Sequence, residues 1–194
     1  MIRKFSQKPV PCYLYLLILE VRFMWNSRFF IVTSLILAAA VSRLIHLPGN
    51  FSPVMAIALF AGAHLSSKKD ALWIPVAGMF LSDLFLGFHS LQILVYGLMV
   101  CTVILGWQLR SISSPARILG TSLFGSVLFF AVTNLFVWLT SGMYELNLNG
   151  FIQCYTLAIP FFQNSLAGDL LFTSVFFGLA YYLEKKSVFS PITA

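Results

Sequence analysis

Residues 52–66 read SPVMAIALFAGAHLS, an apolar run whose ability to cross a bilayer decides the topology of the whole chain. The run starts beside Pro53, and proline is well tolerated in the first turn of a helix. Five other stretches approach the roughly 20 residues that a crossing helix needs. They are 28–47, 71–88, 91–109, 116–140 and 161–183.

The basic residues predict that 52–66 also spans. With six crossings, eleven of the twelve Lys and Arg residues fall on one side of the membrane and only Arg43 on the other. The eleven are Arg3, Lys4, Lys8, Arg22, Arg28, Lys68, Lys69, Arg110, Arg117, Lys185 and Lys186. Without that crossing the split becomes five against seven, which the positive-inside bias disfavours. Both termini are then expected in the cytoplasm.

Composition predicts the same class of protein. The chain is 59% hydrophobic and 9% charged, with a mean hydropathy of +0.90, and these values are typical of an integral membrane protein in contact with a lipid bilayer. We therefore expect an all-α integral membrane fold, a bundle of six transmembrane helices. The net charge of +6 follows from topology, and because no nucleic-acid motif accompanies it we expect no nucleic-acid partner.

The expected domain boundaries follow from these spans. Residues 1–27 form a cytoplasmic extension whose apolar run from Val10 to Leu19 is too short to cross, and Met24 is an alternative start. Residues 28–184 form the transmembrane domain, and 185–194 form a cytoplasmic tail.

Motifs that would indicate an enzyme are missing from the sequence. There is no Gly-Lys-Ser or Gly-Lys-Thr of a P-loop, no Gly-x-Ser-x-Gly elbow and no His-Glu-x-x-His zinc helix. The three cysteines, Cys12, Cys101 and Cys154, lack metal-ligand spacing. We therefore expect no enzymatic activity, no cofactor and no metal.

Polar residues inside the spans form one layer near the outer ends of the helices. A charged side chain at the bilayer centre costs about 2.5–3.5 kcal/mol on insertion scales, so such residues usually share an interior site. Either Arg43 pairs with Asp83 or Asp169 to lock the helices, or the layer lines an outward-facing pocket for a small polar solute. Paired acids of an intramembrane enzyme are a third hypothesis. The candidate substrate-binding residues are Arg43, His46, Asn50, Asp83, His89, Tyr96, Asn134, Asn164 and Asp169.

Two connections stand over this layer. The loop of residues 46–53 contains Pro48 and Gly49, which favour a turn, and its Asn50 and Phe51 either close on a ligand or belong to an ordinary connector. The outer segment 141–160 is interpreted as a helix at the interface or as a cap over the pocket.

The first span carries Ser34, Ala38 and Ser42 at four-residue spacing. Small residues at this spacing let another helix approach closely. The other helix belongs either to the same bundle or to a second membrane subunit.

Three stretches carry a resemblance to a known family. They are Asn50 to Gly62, Leu81 to His89, and Ile159 to Asp169. With them, residues 28–184 resemble a bacterial domain-of-unknown-function family of putative transport proteins. In size, span count and glycine-rich second and third helices, that family is similar to the S components, the substrate-binding subunits, of energy-coupling-factor (ECF) vitamin transporters.

The similarity to S components implies a function. It implies a multi-pass protein of the bacterial inner membrane that takes up a vitamin or another small solute, with cobalamin a candidate. It further implies that Ser34, Ala38 and Ser42 contact a transmembrane coupling subunit served by separate ATPases, although the stripe is Ser-Ala-Ser where the family would show alanines. The alternative is a non-transporting scaffold of a cell-envelope assembly, in which the polar layer only locks helices together.

Overall fold

The computed structural model describes residues 29–30, 32–34, 36–38, 40–41, 43–44, 49–110 and 114–186. Within these residues all regular structure is helical, which confirms the all-α expectation. The described residues between 29 and 41 are helical, and five helices follow them. These are α1 (Val54–His64), α2 (Lys68–Leu86), α3 (Gln92–Trp107), α4 (Pro115–Thr140) and α5 (Leu148–Lys185). The extension 1–27 and residues 187–194 lie outside the described part.

The helix ends follow local chemistry. The Ser67 side chain caps α2 by accepting a hydrogen bond from the backbone N–H of Asp70 at 3.3 Å. Helix α2 is followed directly by Gly87, whose φ of 88° suits a residue without a side chain. Helix α4 begins with Pro115 at its first position. Asn147 caps α5 in the same way as Ser67, accepting from the N–H of Gly150 at 2.9 Å.

The helices differ in length from the six spans that the sequence predicts. Among the described residues, α4 and α5 are long and apolar enough to cross a membrane. Helices α1 and α3 are apolar but only 11 and 16 residues long, and α2 carries the charges of its Lys68-Lys69-Asp70 start. By length and composition, the described residues therefore contain two helices that could cross a membrane, and not the six that the sequence predicts. Several residues of the first predicted span lie outside the described part.

The predicted outer segment 141–160 is not a separate element. Its residues from Leu148 onward belong to α5, a single helix of 38 residues. At 1.5 Å per residue this helix is about 57 Å long, against a hydrocarbon thickness of about 30 Å. Its first turns pack on the end of α4: the Tyr155 hydroxyl donates to the carbonyl of Ala131 at 2.6 Å, and the Trp138 and Phe151 rings meet edge to face.

Helix α1 is the centre of the bundle. All ten residues from Met55 to His64 are buried, so the helix needs apolar side chains on every face, as a fully enclosed helix does. It packs closely on α3, since a methyl group added to Gly62 would overlap the carbonyl oxygen of Val103 and one added to Gly106 would overlap that of Leu59. Glycine at this crossing allows the two backbones to touch.

The C-terminal end of α1 is held by Arg110, which follows α3. Its guanidinium donates to the carbonyl oxygens of Gly62 at 3.0 Å, Ser66 at 3.2 Å and Leu65 at 2.6 Å. These last carbonyls of a helix have no partner within the helix, and a cation there also complements the helix dipole. Burial lowers the pKa of Arg110, yet arginine remains protonated at neutral pH.

We expect Arg110→Ala to lower the free energy of unfolding by about 1–3 kcal/mol, the range for leaving buried acceptors unsatisfied. Thermal unfolding of the purified protein in detergent measures the loss. Arg117→Ala is the matched control, because Arg117 is exposed on the first turns of α4. Equal melting temperatures for the two variants would contradict this role of Arg110.

Gly62→Ala is expected to destabilise the bundle by about 1–3 kcal/mol, because overpacking forces the α1 and α3 backbones apart. Gly120→Ala serves as the control, since a methyl group at Gly120 meets nothing within 4 Å, and alanine favours a helix more than glycine does. The same thermal assay should show a loss for the first variant and no loss for the second. A Gly62→Ala protein as stable as the wild type would show that the backbones do not touch there.

Candidate functional site

The two buried acids of the polar layer, Asp83 and Asp169, lie in different environments. The exposed fraction of each is 1% and 5%. Asp83 belongs to α2 and Asp169 to α5. The two acids differ in their hydrogen-bond partners and in whether they border a cavity.

Asp83 is surrounded by donors. Arg43 pairs with its Oδ1 at 2.8 Å, and the Tyr96 hydroxyl and the Gln92 amide donate to its Oδ2 at 2.7 and 3.0 Å. The Gln92 amide also donates to the Tyr96 hydroxyl at 2.8 Å, and Arg43 donates to the hydroxyl of Ser82. A buried carboxylate is stable when it is paired and its remaining lone pairs are hydrogen-bonded.

This network connects the region of Arg43 to α2 and α3. The charges of Arg43 and Asp83 balance each other, and the hydrogen bonds hold these parts of the chain together. We call the network of Arg43, Asp83, Gln92 and Tyr96 the lock. The pairing of Arg43 with Asp83 is one of the two that the sequence left open. Gln92 was not predicted, although its position four residues before Tyr96 on α3 was a usable signal.

We expect Asp83→Leu to destabilise the protein by about 3–5 kcal/mol, because it leaves the Arg43 charge without its partner. The double variant Arg43→Met with Asp83→Leu should recover much of that loss, since apolar residues of similar volume often replace a buried pair without cost. Thermal unfolding of both variants measures the difference. A double variant no more stable than Asp83→Leu alone would contradict a simple charge lock.

Asp169 has a different set of partners. The Ser126 hydroxyl of α4 donates to its Oδ2 at 2.7 Å, and the backbone N–H of Ala56, in the first turn of α1, also donates to it. Pro53 at the start of α1 provides no side-chain cap, so Asp169 supplies an acceptor for one of the unpaired N–H groups there. The dipole of α1 favours the negative charge. Within the described part of the chain, Asp169 forms no ion pair.

Asp169 faces a cavity of about 490 Å³, hereafter the larger cavity. The polar residues of its lining are Arg43, Asn50, Ser52, His89, Ser165 and Asp169. The Ser52 hydroxyl is buried and makes no hydrogen bond within the described residues. A volume of this size lies within the usual range for small-molecule sites, roughly 300–1,000 Å³.

A second cavity of about 260 Å³, the smaller cavity, adjoins the first. Asn50, His89, Val95, Phe129 and Ser165 line both of them. The smaller cavity lies mainly between α4 and α5 and is richer in aromatic rings. Its four phenylalanines are Phe129, Phe130, Phe161 and Phe162.

The loop before α1 closes one side of the larger cavity. Asn164 on α5 donates to the carbonyl of Gly49 at 3.0 Å, and the Phe51 ring contacts that of Phe172 at a centroid distance of 5.7 Å. Gly168 lies between these two contacts on α5, where a methyl group would come within 3.1 Å of the Ser52 nitrogen. Asn50 adopts a positive φ of 63°, which asparagine tolerates better than most residues.

The predicted site residues thus fall into three groups. Arg43, Asn50, His89 and Asp169 line the larger cavity, and Asn134 lines the smaller one. Asp83 and Tyr96 belong to the network around Arg43 and line neither cavity, and Asn164 bonds the loop before α1. His46 lies outside the described residues, as does Ser42 of the predicted partner interface, whereas Ser34 and Ala38 of that interface are exposed.

Two further residues of the site were missed: Ser126, which bonds Asp169, and Ser52, which lines the larger cavity. Ser126 lies among other small residues of α4. From the sequence, a serine that donates to an acid on another helix cannot be distinguished from one that only packs. Ser52 directly precedes Pro53 and reads as a turn residue. No group of three or more His, Cys, Asp or Glu that could hold a metal ion occurs in the described part.

Comparison with known proteins places the chain in a family. A family of unknown function, DUF6580, matches residues 23–191. The chain belongs to this family. No curated protein and no solved structure is significantly similar to it. Membership of DUF6580 agrees with the predicted resemblance to a family of unknown function, and it adds no link to S components.

Proposed function

We propose that this member of DUF6580 is a solute-uptake protein of the bacterial inner membrane, the substrate-binding subunit of a transporter for a vitamin or another small solute. In this proposal the chain crosses the bilayer six times with both termini inside, as in S components. The two cavities form its binding site, and they open outward.

The surfaces of the two longest helices support a membrane location. Exposed apolar residues recur along one side of α4, at Leu119, Leu123, Phe124 and Val127. Others recur along α5, at Leu171, Val175 and Leu179. Lipid tails can cover these apolar side chains without a loss of free energy. Exposed apolar patches of this extent are unusual on soluble proteins.

The orientation rests on the ends of the helices. The cavities are lined by the start of α1, the end of α2, the start of α3 and the later half of α4. The basic residues Lys68, Arg110, Arg117 and Lys185 lie at the opposite ends of the helices, at the start of α2, after α3, at the start of α4 and at the end of α5. Because basic residues favour the cytoplasmic side, the cavities face outward in this proposal.

The observation that carries solute binding is the position of Asp169. Its carboxylate borders a cavity of ligand size and has no ion pair within the described residues. Asp83 has a full set of donors and does not line either cavity. A polar solute would therefore complete the hydrogen bonding of Asp169, Ser52 and Asn50.

Energy for uptake would come from a partner, because the sequence has no P-loop. Ser34 and Ala38 are exposed, so this side of the first helix is open to a transmembrane coupling subunit that works with separate ATPases. Small residues would let the partner helix approach closely.

A ligand screen on the detergent-purified protein tests the proposal. Vitamins, cobalamin, nucleobases and divalent metals are added singly, and a ligand that binds the native state raises the melting temperature in a saturable way. We expect one hit, and we expect Asp169→Asn to weaken its binding at least tenfold while the variant still elutes as a monodisperse species.

Gly120→Ala is the control for the screen, since Gly120 lines neither cavity. A panel in which no solute stabilises the well-folded wild type would contradict solute binding. Pull-down from membranes would then ask whether the chain is a scaffold.

The scaffold of a cell-envelope assembly is the second candidate function. It is favoured by the saturated lock of Arg43, Asp83, Tyr96 and Gln92, which holds helices together without a ligand. A scaffold predicts that Asp169→Asn alters stability through α1 and that no binding is lost.

A further inference from the structure

The two adjoining cavities have different chemical character, and this difference indicates which class of solute the site would bind. The inference drawn from it rests on the proposed solute-binding function. The larger cavity contains the charged groups, whereas the smaller one is lined mostly by phenylalanine and aliphatic side chains. Because five residues line both, a single ligand can occupy the two together.

The charge of the site is set by three residues. Arg43, His89 and Asp169 are the ionisable side chains that line the cavities within the described residues. Arg43 is paired with Asp83 at 2.8 Å, so these two charges cancel. The carboxylate of Asp169 has no ion pair within the described residues, so an ionised Asp169 gives the site one negative charge. A ligand of complementary charge carries one positive group.

The length of the site follows from α5, which passes along both cavities. Asp169 is seven residues from Phe162 and eleven from Ala158, which lines the far part of the smaller cavity. At 1.5 Å per residue these separations are about 10 and 16 Å along the helix axis. A ligand that fills both cavities is therefore extended.

The positive group also has aromatic neighbours. Phe51 and Phe129 line the larger cavity together with Asp169, and aromatic faces attract cations within about 6 Å. In the smaller cavity the Phe130 and Phe162 rings lie at a centroid distance of 4.5 Å, tilted by 32°, and offer an apolar surface. One end of the site suits a cation and the other suits a ring or an alkyl chain.

We propose that the solute is an elongated monocation, with its positive group at Asp169 and an aromatic or apolar group in the smaller cavity. Asp169 supplies charge selectivity, and Phe162 with its neighbours supplies affinity for the apolar end. Anionic and strongly hydrophilic solutes are excluded by the same features.

Three small probes test this class on the full-length protein in detergent. The probes are 4-phenylbutylamine, which has both features, 4-phenylbutanol, which lacks the charge, and butylamine, which lacks the ring. Isothermal titration calorimetry measures each affinity. We expect the first probe to bind at least tenfold more tightly than either of the others.

Variants assign the two ends. Asp169→Asn should weaken 4-phenylbutylamine at least tenfold and leave 4-phenylbutanol unchanged. Phe162→Ala should weaken both ring-containing probes and leave butylamine unchanged. Phe124→Ala is the matched control, because Phe124 is exposed on α4 and lines neither cavity.

The wild-type comparison of amine with alcohol does not depend on whether any variant folds. Equal affinities for the amine and the alcohol would overturn the cationic class. If the panel of vitamins and other solutes then gave a neutral or anionic hit, the proposal of solute uptake would stand and the proposal of a cationic solute would be rejected. If neither the probes nor the panel bound, both proposals would fall.

Discussion

The structure depends on satisfying the two ends of α1, a helix of eleven residues enclosed on all sides. Enclosure removes water from its unpaired N–H and carbonyl groups, and each such group left unsatisfied costs about 1–3 kcal/mol. Asp169 accepts from the first turn, and Arg110 donates to the last carbonyls. A negative group at the N-terminus and a positive one at the C-terminus also match the helix dipole. Distant helices thus complete α1, which explains how so short an element can occupy the centre of the bundle.

The same requirement places a carboxylate beside a cavity. Asp169 must lie next to the first turn of α1, and the loop of residues 49–53 that leads into this turn bounds the larger cavity. Asp83, in a similar sequence context of a small residue before and leucine after, is instead enclosed by Arg43, Gln92 and Tyr96. Asp83 is therefore enclosed by donors and lines neither cavity, whereas Asp169 caps α1 and borders the larger cavity.

The sequence was informative where a physical rule acts locally. Apolar composition predicted an all-helical protein. Of the polar residues grouped in one layer, Arg43 pairs with Asp83 and lines the larger cavity together with Asp169. The sequence was less informative where the outcome depends on contacts between distant residues. Residues 52–66 were predicted as a short span, and the helix within them covers Val54–His64, with Arg110 from another part of the chain bonding the carbonyls at its end. Residues 148–160 looked like a separate element, yet packing on α4 extends α5 through them. The partner of each acid could not be read from spacing along the chain.

We propose that the cavity beside Asp169 opens to the outer face of a membrane. Cysteine accessibility tests it most directly. Ser165, which lines both cavities, and Ser66, which follows α1 at the opposite end, are each changed to cysteine in a background without Cys12, Cys101 and Cys154. A maleimide that cannot cross membranes is then added to intact spheroplasts. We expect labelling of the Ser165→Cys protein from outside, and labelling of the Ser66→Cys protein only after permeabilisation. Labelling of the Ser165→Cys protein only from the cytoplasmic side, or from neither side, would contradict it.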